Sequence, residues 1–483
     1  MEENSALLTD LYELTMSEGY WKMGLKDARA SFYMHFRNNP FEGGYTIACG
    51  LDHLAEIVDG FKFTDSDIDY LLSIKVASGE PLFDPEFVNY LRGYRLDVDI
   101  DAPLEGTVVF PYEPIVRVTG PIIDCQILEP ALLNAVNFET LIATKSARVC
   151  NATKGSVAEF GLRRAQGPNG GLRASRAAVI GGCTSTSNVL AGKVFNLPVS
   201  GTHAHSWVMS FDSELEAFRE FARVMPHNCI LLVDTYDIEE GLKNAIIVGK
   251  EMEERGEKLL GIRIDSGDLA WGSNLARKML DEAGLDYVKV VATNDLDEFT
   301  IASLEQQNAS IDSWGVGTKL AVAYDQPALG GVYKMSAIKK SPDSPWVPKI
   351  KISAQQVKRT LPGVLDVMRY HDSNGKYVGD VVYDMSKGEP GTLMVDPFDS
   401  IKKKDFKGYE GEKILVPLAR GGRSVYGKTD CMAAQQRVKD EISKLDRKYV
   451  RFLNPGVYPV GLDMKLFGTR SELLEEHSIE DGD

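Results

Sequence analysis

The sequence predicts an α/β fold: a (β/α) barrel or, failing that, an open doubly wound sheet. Three observations carry that expectation. A short apolar run recurs along the middle of the chain: RAAVIGG, FNLPVSG, NCILLVD, KLLGIRID, YVKVVATND and DSWGVGT, most of them ending in Gly, Asp, Asn or Thr. Helical periods follow several of these runs. The run-end residues Asp234, Asp265 and Asn294 lie 31 and 29 residues apart, which is room for one strand, one helix and one loop each. Alternating strands and helices imply parallel strands, and such folds place chemistry at the C-terminal strand ends.

Taken in order, residues 1–128 read as a mixed α+β N-terminal domain. LLTDLYELTMSEGYW has the spacing of a helix, and YRLDVDI and GTVVFPYEPIVRVTG read as strands joined by turns. ILEPALLNAVNFETLIATKSARVC reads as a long helix that opens the barrel, residues 129–345. Within it, DSELEAFREFARVM places Leu215, Phe218, Phe221 and Met225 on one helical face. DIEEGLKNAIIVGKEM does the same with Leu242, Ala245, Ile246 and Met252. The pattern breaks near residue 345. KGEPGT, KKKDFKGYEGEK and ARGGRSVYGKT read as turns of a smaller, polar C-terminal region, 346–483, whose tail SELLEEHSIEDGD is expected to be mobile.

Composition narrows the class. The 483 residues exceed one ordinary core, and 43% hydrophobic with 26% charged residues is the balance of a soluble globular protein. No apolar run approaches the ~18 residues of a membrane span. The net charge of −16 disfavours a nucleic-acid binder. Six scattered cysteines without a CxxC pair, and an acidic N-terminus without a secretion pattern, point to the cytoplasm.

The charge is uneven. From Phe160 to Phe211 there is no Asp or Glu, while Arg163, Arg164, Arg173, Arg176 and Lys193 all fall there. Glycines interleave the arginines in RRAQGPNGGLRASR, a combination suited to a small anionic ligand. The strand ends add GTHAHS, DTYD, RIDSGD, TND and GVGTK. A lone acid at a strand end is commonly a helix cap, and Asp237 fits that reading. Asp265 and Asp268, in a tight Ser-Gly loop, suit sugar hydroxyls or a hydrated Mg2+. GVGTK offers backbone N–H groups, a hydroxyl and an ammonium to a phosphate. Together these features point to a phosphorylated sugar.

Two other motifs weigh less. GRSVYGKT matches the nucleotide P-loop pattern, but the run before it contains Pro417, awkward in a central parallel strand. His203 and His205 would begin a metal site only with further histidines on later strand ends, and none occurs there.

At this point the residues resemble a family. LLTDLYELTM, EFGLRRAQGPNGGLRASR, TSNVLAG, GTHAHSW, LLVDTYD, GIRIDSGDL, GVGTKL and ALGGVYK are similar to nicotinate phosphoribosyltransferases, and the resemblance spans nearly the whole chain. It implies the irregular α/β barrel of the type II phosphoribosyltransferases with a discontinuous N-terminal domain, and a homodimer. It implies synthesis of nicotinate mononucleotide from nicotinate and 5-phosphoribosyl 1-diphosphate, coupled to ATP through a phosphohistidine and served by Mg2+. Carried over by motif, His205 is the phosphorylated nucleophile. Arg163 contacts the ring and the phosphoribosyl group. Thr202 and Arg263 contact nicotinate. Tyr12, from the other subunit, and Phe160 sandwich the pyridine ring. Asp265 and Asp268 serve the ribose and Mg2+. Gly315, Gly317 and Thr318 hold the 5-phosphate. His203 receives no role. The nearest alternative is a nicotinamide phosphoribosyltransferase, which has an acid in the segment matching TSTSNVLAG; here that segment has none.

Overall fold

The computed structural model describes residues 6–341 and 343–479. The chain forms two compact units, 1–141 with 328–483, and 142–327. The cuts drawn from sequence lie at 128/129 and 345/346.

The second unit is built on six parallel strands: Ser156–Glu159, Ser185–Thr186, Ile230–Leu232, Gly261–Ile264, Lys289–Ala292 and Ser313–Val316, here numbered first to sixth. They lie side by side in the order second, first, sixth, fifth, fourth, third. The chain therefore runs around the sheet and returns, as in a barrel, and does not wind outward from a switch point. Closure is incomplete. Past the second strand the next segment joins by a single bridge, Thr186 to Val199. The strands carry Leu231, Leu232, Ile262, Ile264, Val290, Ala292, Trp314 and Val316, all buried. Parallel strands covered on both faces read as unbroken apolar runs, which is why the sequence announces them.

The helices between strands are amphipathic. Ile238–Glu254 buries Leu242, Ala245, Val248 and Met252, with Ile246 half-buried. Glu214–Val224 buries Ala217, Phe218, Phe221 and Ala222; Met225 lies past its end and is exposed, so the apolar face is one turn shorter than the periodicity predicts. Asp237 caps its helix by accepting the Glu240 N–H, as expected. RAAVIGG departs from the strand pattern: it ends the helix Gly167–Gly181.

The first unit carries a seven-stranded antiparallel sheet in the order Val347–Pro348, Val332–Lys339, Arg29–His35, Val116–Pro121, Asp99–Ala102, Val416–Arg420, Arg423–Ser424. Early and late segments thus alternate within one sheet. A second, six-stranded sheet holds Leu365–His371 and Tyr377–Asp384 at its centre. The motif GRSVYGKT lies at an antiparallel hairpin, Arg420 pairing with Arg423, so it is not the loop after a parallel strand that a P-loop requires. The tail is helical as part of Met464–Ile479, in place of the mobile segment expected; residues 480–483 lie outside the described residues. Among the described residues no helix is long and apolar enough to cross a membrane.

Candidate active site

The C-terminal ends of the barrel strands surround a cavity of about 680 Å3. Its first wall begins at Glu159, which is almost fully buried. One carboxylate oxygen accepts the Gly161 N–H; the other accepts the hydroxyls of Ser175 (2.9 Å) and Thr186 (2.6 Å). One side chain thus ties the first strand, the second strand and the helix Gly167–Gly181. The turn it fixes carries Phe160, Arg163 and Arg164 into the cavity wall. Phe160 N–H donates to Val316 O (2.8 Å), and its ring lies across the sixth strand. That is possible because residue 315 is glycine: a Cβ there would stand 2.7 Å from the Phe160 ring and 2.6 Å from Thr293 Cγ2.

The paired histidines of GTHAHS divide into two roles. His203 is buried, and its Nε2 accepts the Leu232 N–H (3.3 Å). The third strand is a sheet edge, and this imidazole stands where a neighbouring strand's carbonyl would be. Burial pushes the His203 pKa down to about 4, which keeps the ring neutral and able to accept. His205 faces the cavity. Its Nδ1 lies 3.1 Å from Thr235 Oγ1 and its Nε2 3.7 Å from Asp265 Oδ2. Asp265 also accepts the Thr293 hydroxyl. Below it, Asp234 Oδ2 accepts the Asp265 N–H (2.8 Å) and the Ser266 hydroxyl (2.6 Å), holding the loop in which Gly267 takes a φ of 73°.

Arg263 rises from the fourth strand. One terminal nitrogen donates to His203 O (2.8 Å), while its buried Nε has no partner among the described residues. Burial works against its charge, and Arg163 nearby works in the same direction. A cation so placed is stabilised by a planar anion presenting two oxygens.

Nine of the residues singled out in sequence therefore line one cavity: Phe160, Arg163, Thr202, His205, Arg263, Asp265, Gly315, Gly317 and Thr318. Asp268 stands apart. It is exposed, and its Oδ1 caps the helix Leu269–Glu282 through the N–H groups of Ala270 and Trp271. Tyr12 lies in the first unit on the helix Leu11–Lys22, half exposed, beside the buried Glu13 that accepts from Gln126 Nε2. Lys319 differs from its reading in GVGTK: its ammonium pairs with Asp297 (2.6 Å). Arg173 and Arg176 are buried with their guanidinium groups over the Phe195 ring, at 5.6 and 5.7 Å, and do not line the cavity.

Three family models match the chain: the nicotinate phosphoribosyltransferase N-terminal domain over residues 7–137, the nicotinate phosphoribosyltransferase family over 156–377 and the C-terminal domain over 366–470. The chain is 42% identical to a nicotinate phosphoribosyltransferase of Bacillus subtilis, over 98% of this chain and 96% of the relative. The chain belongs to the nicotinate phosphoribosyltransferase family. A Caenorhabditis elegans member is 35% identical, covering 95% of this chain and 92% of its own. The crystal structure of human nicotinic acid phosphoribosyltransferase superposes with a TM-score of 0.84 at 29% identity, over 96% of this chain and 99% of that one. A nicotinate-nucleotide pyrophosphorylase from Pyrococcus furiosus shares the fold, with a TM-score of 0.68 at 21% identity.

This member of the nicotinate phosphoribosyltransferase family lines its cavity with further residues that the sequence reading did not assign: Arg164, Ser187, Asn294 and Asp295, with Thr293. Asn294 and Asp295 lie in the strand-end motif TND, which was the available signal. Asn294 sits at φ 116°, a conformation non-glycine residues rarely adopt and one that recurs at functional sites. Glu159 and Thr235 gave no such signal, since each acts through partners distant in sequence.

Proposed function

We propose that this chain transfers the 5-phosphoribosyl group of 5-phosphoribosyl 1-diphosphate to the ring nitrogen of nicotinate, the entry step of NAD salvage, in the cytoplasm. The observation that carries the reading is Arg263. Its guanidinium keeps an unpartnered Nε in a cavity that also holds Phe160, Thr202 and Arg163. An aromatic carboxylate answers that arrangement: the ring stacks on Phe160 and the carboxylate takes the guanidinium.

In the reaction the nicotinate nitrogen donates its electron pair to the anomeric carbon. The anomeric C–O bond breaks and its electrons leave with diphosphate. Positive charge builds on the ribose beside the Asp265 carboxylate. Negative charge builds on the leaving group, where Arg163 and Arg164 supply the counter-charge. Gly315, Gly317 and Thr318 receive the 5-phosphate. Asp265, with Asp295 across the cavity, is the carboxylate set that fits a Mg2+ entering with the diphosphate, whose contribution is neutralisation of the leaving group. Asp268, whose Oδ1 is engaged as a helix cap, has its second oxygen for that set.

His205 is proposed as the acceptor of the ATP γ-phosphate. With Nδ1–H donating to Thr235 Oγ1, the Nε2 lone pair faces the cavity; attack forms the N–P bond and ADP leaves. The phosphohistidine adds charge beside the diphosphate site and shifts affinities toward product formation. Tyr12 is proposed to close the ring site from a second copy in a homodimer.

The test is substrate choice. Nicotinamide lacks the carboxylate and leaves the half-buried guanidinium unpaired, so kcat/KM for nicotinate should exceed that for nicotinamide by about 100-fold or more. Comparable values for the two would reject the reading in favour of a nicotinamide phosphoribosyltransferase.

A further inference from the structure

A second, much smaller cavity lies wholly within the first unit. It is lined by the end of the strand Arg29–His35, the loops bearing Arg359 and Phe398, and the C-terminal helix at Arg470. Its volume is about 20 Å3, room for roughly one small ion or water by the ~10–15 Å3 a water needs.

Its lining is unusual in what it leaves unanswered. His35 and Arg470 expose only 5% and 7% of their surface. His35 Nδ1 and Arg470 Nε have no hydrogen-bond partner among the described residues, although Arg470 Nη1 donates to Pro397 O (2.8 Å). Tyr33 OH already accepts the Leu361 N–H (2.8 Å), so its own proton is left to donate. Tyr33 stacks on His35 at 5.0 Å, so the three groups converge from one side chain layer.

The charges around this cavity have one sign. Arg359 acts on Arg470, Arg37 and Lys334 act on His35, and Arg470 and Arg37 act on Tyr33. No carboxylate is among the charges acting on those three groups. Burial, with Arg37 and Lys334 adding to it, pushes the His35 pKa down to about 3, so the imidazole is neutral and able to turn an N–H inward. A buried guanidinium without an acid costs several kcal/mol unless a counter-charge reaches it. A water can satisfy the hydrogen bonds but does not neutralise the charge.

We propose that this cavity is a binding site for a small inorganic anion of chloride size, held by Arg470 Nε–H, the Tyr33 hydroxyl and the His35 ring, with Arg359 supplying further positive charge. The volume excludes phosphate. The site joins an N-terminal strand to the C-terminal helix of the same unit, so its occupancy should be read as stability of that unit.

The test compares thermal unfolding of the full chain at pH 7 and constant ionic strength in sodium chloride, sodium bromide and sodium gluconate. Chloride and bromide should raise Tm by about 1–3 °C over gluconate, the shift expected when a ligand is present at about ten times its Kd. Arg470→Met should abolish the difference. X-ray data on the unsubstituted protein grown in bromide should show an anomalous peak between Tyr33, His35 and Arg470, a readout that does not depend on the variant folding. Equal Tm in the halides and gluconate, or density at that place without a bromide signal, overturns the assignment and leaves a buried water there.

Discussion

His205 and Thr235 form the smallest unit of the proposed mechanism. An imidazole attacks phosphorus through a nitrogen that carries no proton, so the tautomer has to be held. The 3.1 Å contact from Nδ1 to Thr235 Oγ1 is the contact that can hold it, with Nε2 turned toward Asp265. His205→Ala should therefore remove ATP hydrolysis and ATP stimulation while slow, ATP-independent transfer persists. Thr235→Val should lower the ATP-coupled rate by about 3- to 30-fold, the worth of one hydrogen bond, and Thr235→Ser should restore most of it. Phosphohistidine yield in a single turnover with labelled ATP measures both. Full coupling in His205→Ala, or a label mapped to His203, would sink the assignment. His203 has the geometry to refuse the label, being buried and bonded to Leu232 N–H. The sequence could not separate these two rings: spacing puts both on one motif, and only the fold turns one inward.

At the scale of the element, Glu159 shows what was legible and what was not. The third to sixth strands were visible because each is an apolar run ending in a polar residue. The first strand, Ser156–Glu159, escaped because it is four residues long and ends in an acid within a motif already read as a turn. RAAVIGG misled because a helix buried along its whole length, as Ala174 to Gly181 is, carries the same unbroken apolar signature as a buried strand. The barrel's open seam was also illegible, since a side chain, His203, does there what a strand does elsewhere. Glu159→Ala would leave the Gly161 N–H and the hydroxyls of Ser175 and Thr186 without their buried acceptor, at about 1–3 kcal/mol for each group left unsatisfied. The expected result is a Tm lowered by several degrees and a raised KM, because Phe160 and Arg163 leave the same turn. A variant with unchanged Tm and unchanged KM would show that the turn holds itself.

For the whole molecule, the decisive fact is that the first unit is assembled from both ends of the chain, which no local pattern can reveal. The polar C-terminal region read from sequence at 346–483 is structurally part of the N-terminal fold. Val416–Arg420 pairs antiparallel with Asp99–Ala102, and Leu361 N–H donates to Tyr33 OH. Arg369, fully buried, pairs with Asp380 (2.7 Å) and Glu441 (3.3 Å) and lies 3.8 Å from Glu113. Arg117 bridges Asp101 (2.9 Å) and Asp366 (3.2 Å). Burial and Asp380 together raise the Glu113 pKa well above the carboxylate range, and Arg369 is the cation opposing that rise. A chain ending at residue 345 loses Arg369 and Asp366, exposes the edge of Asp99–Ala102 and leaves Glu113 buried without its cation. Each broken buried pair costs about 3–5 kcal/mol against a total stability of about 5–15 kcal/mol. The unpaired strand edge then invites aggregation. The truncated chain 1–345 should therefore be insoluble or aggregated when expressed alone. Co-expression with the fragment 346–483 should recover soluble, associated material, because every lost contact is non-covalent and is supplied by that fragment. Sedimentation and near-ultraviolet circular dichroism measure both outcomes. A soluble 1–345 chain with cooperative unfolding would show that the late strands decorate the unit and do not complete it.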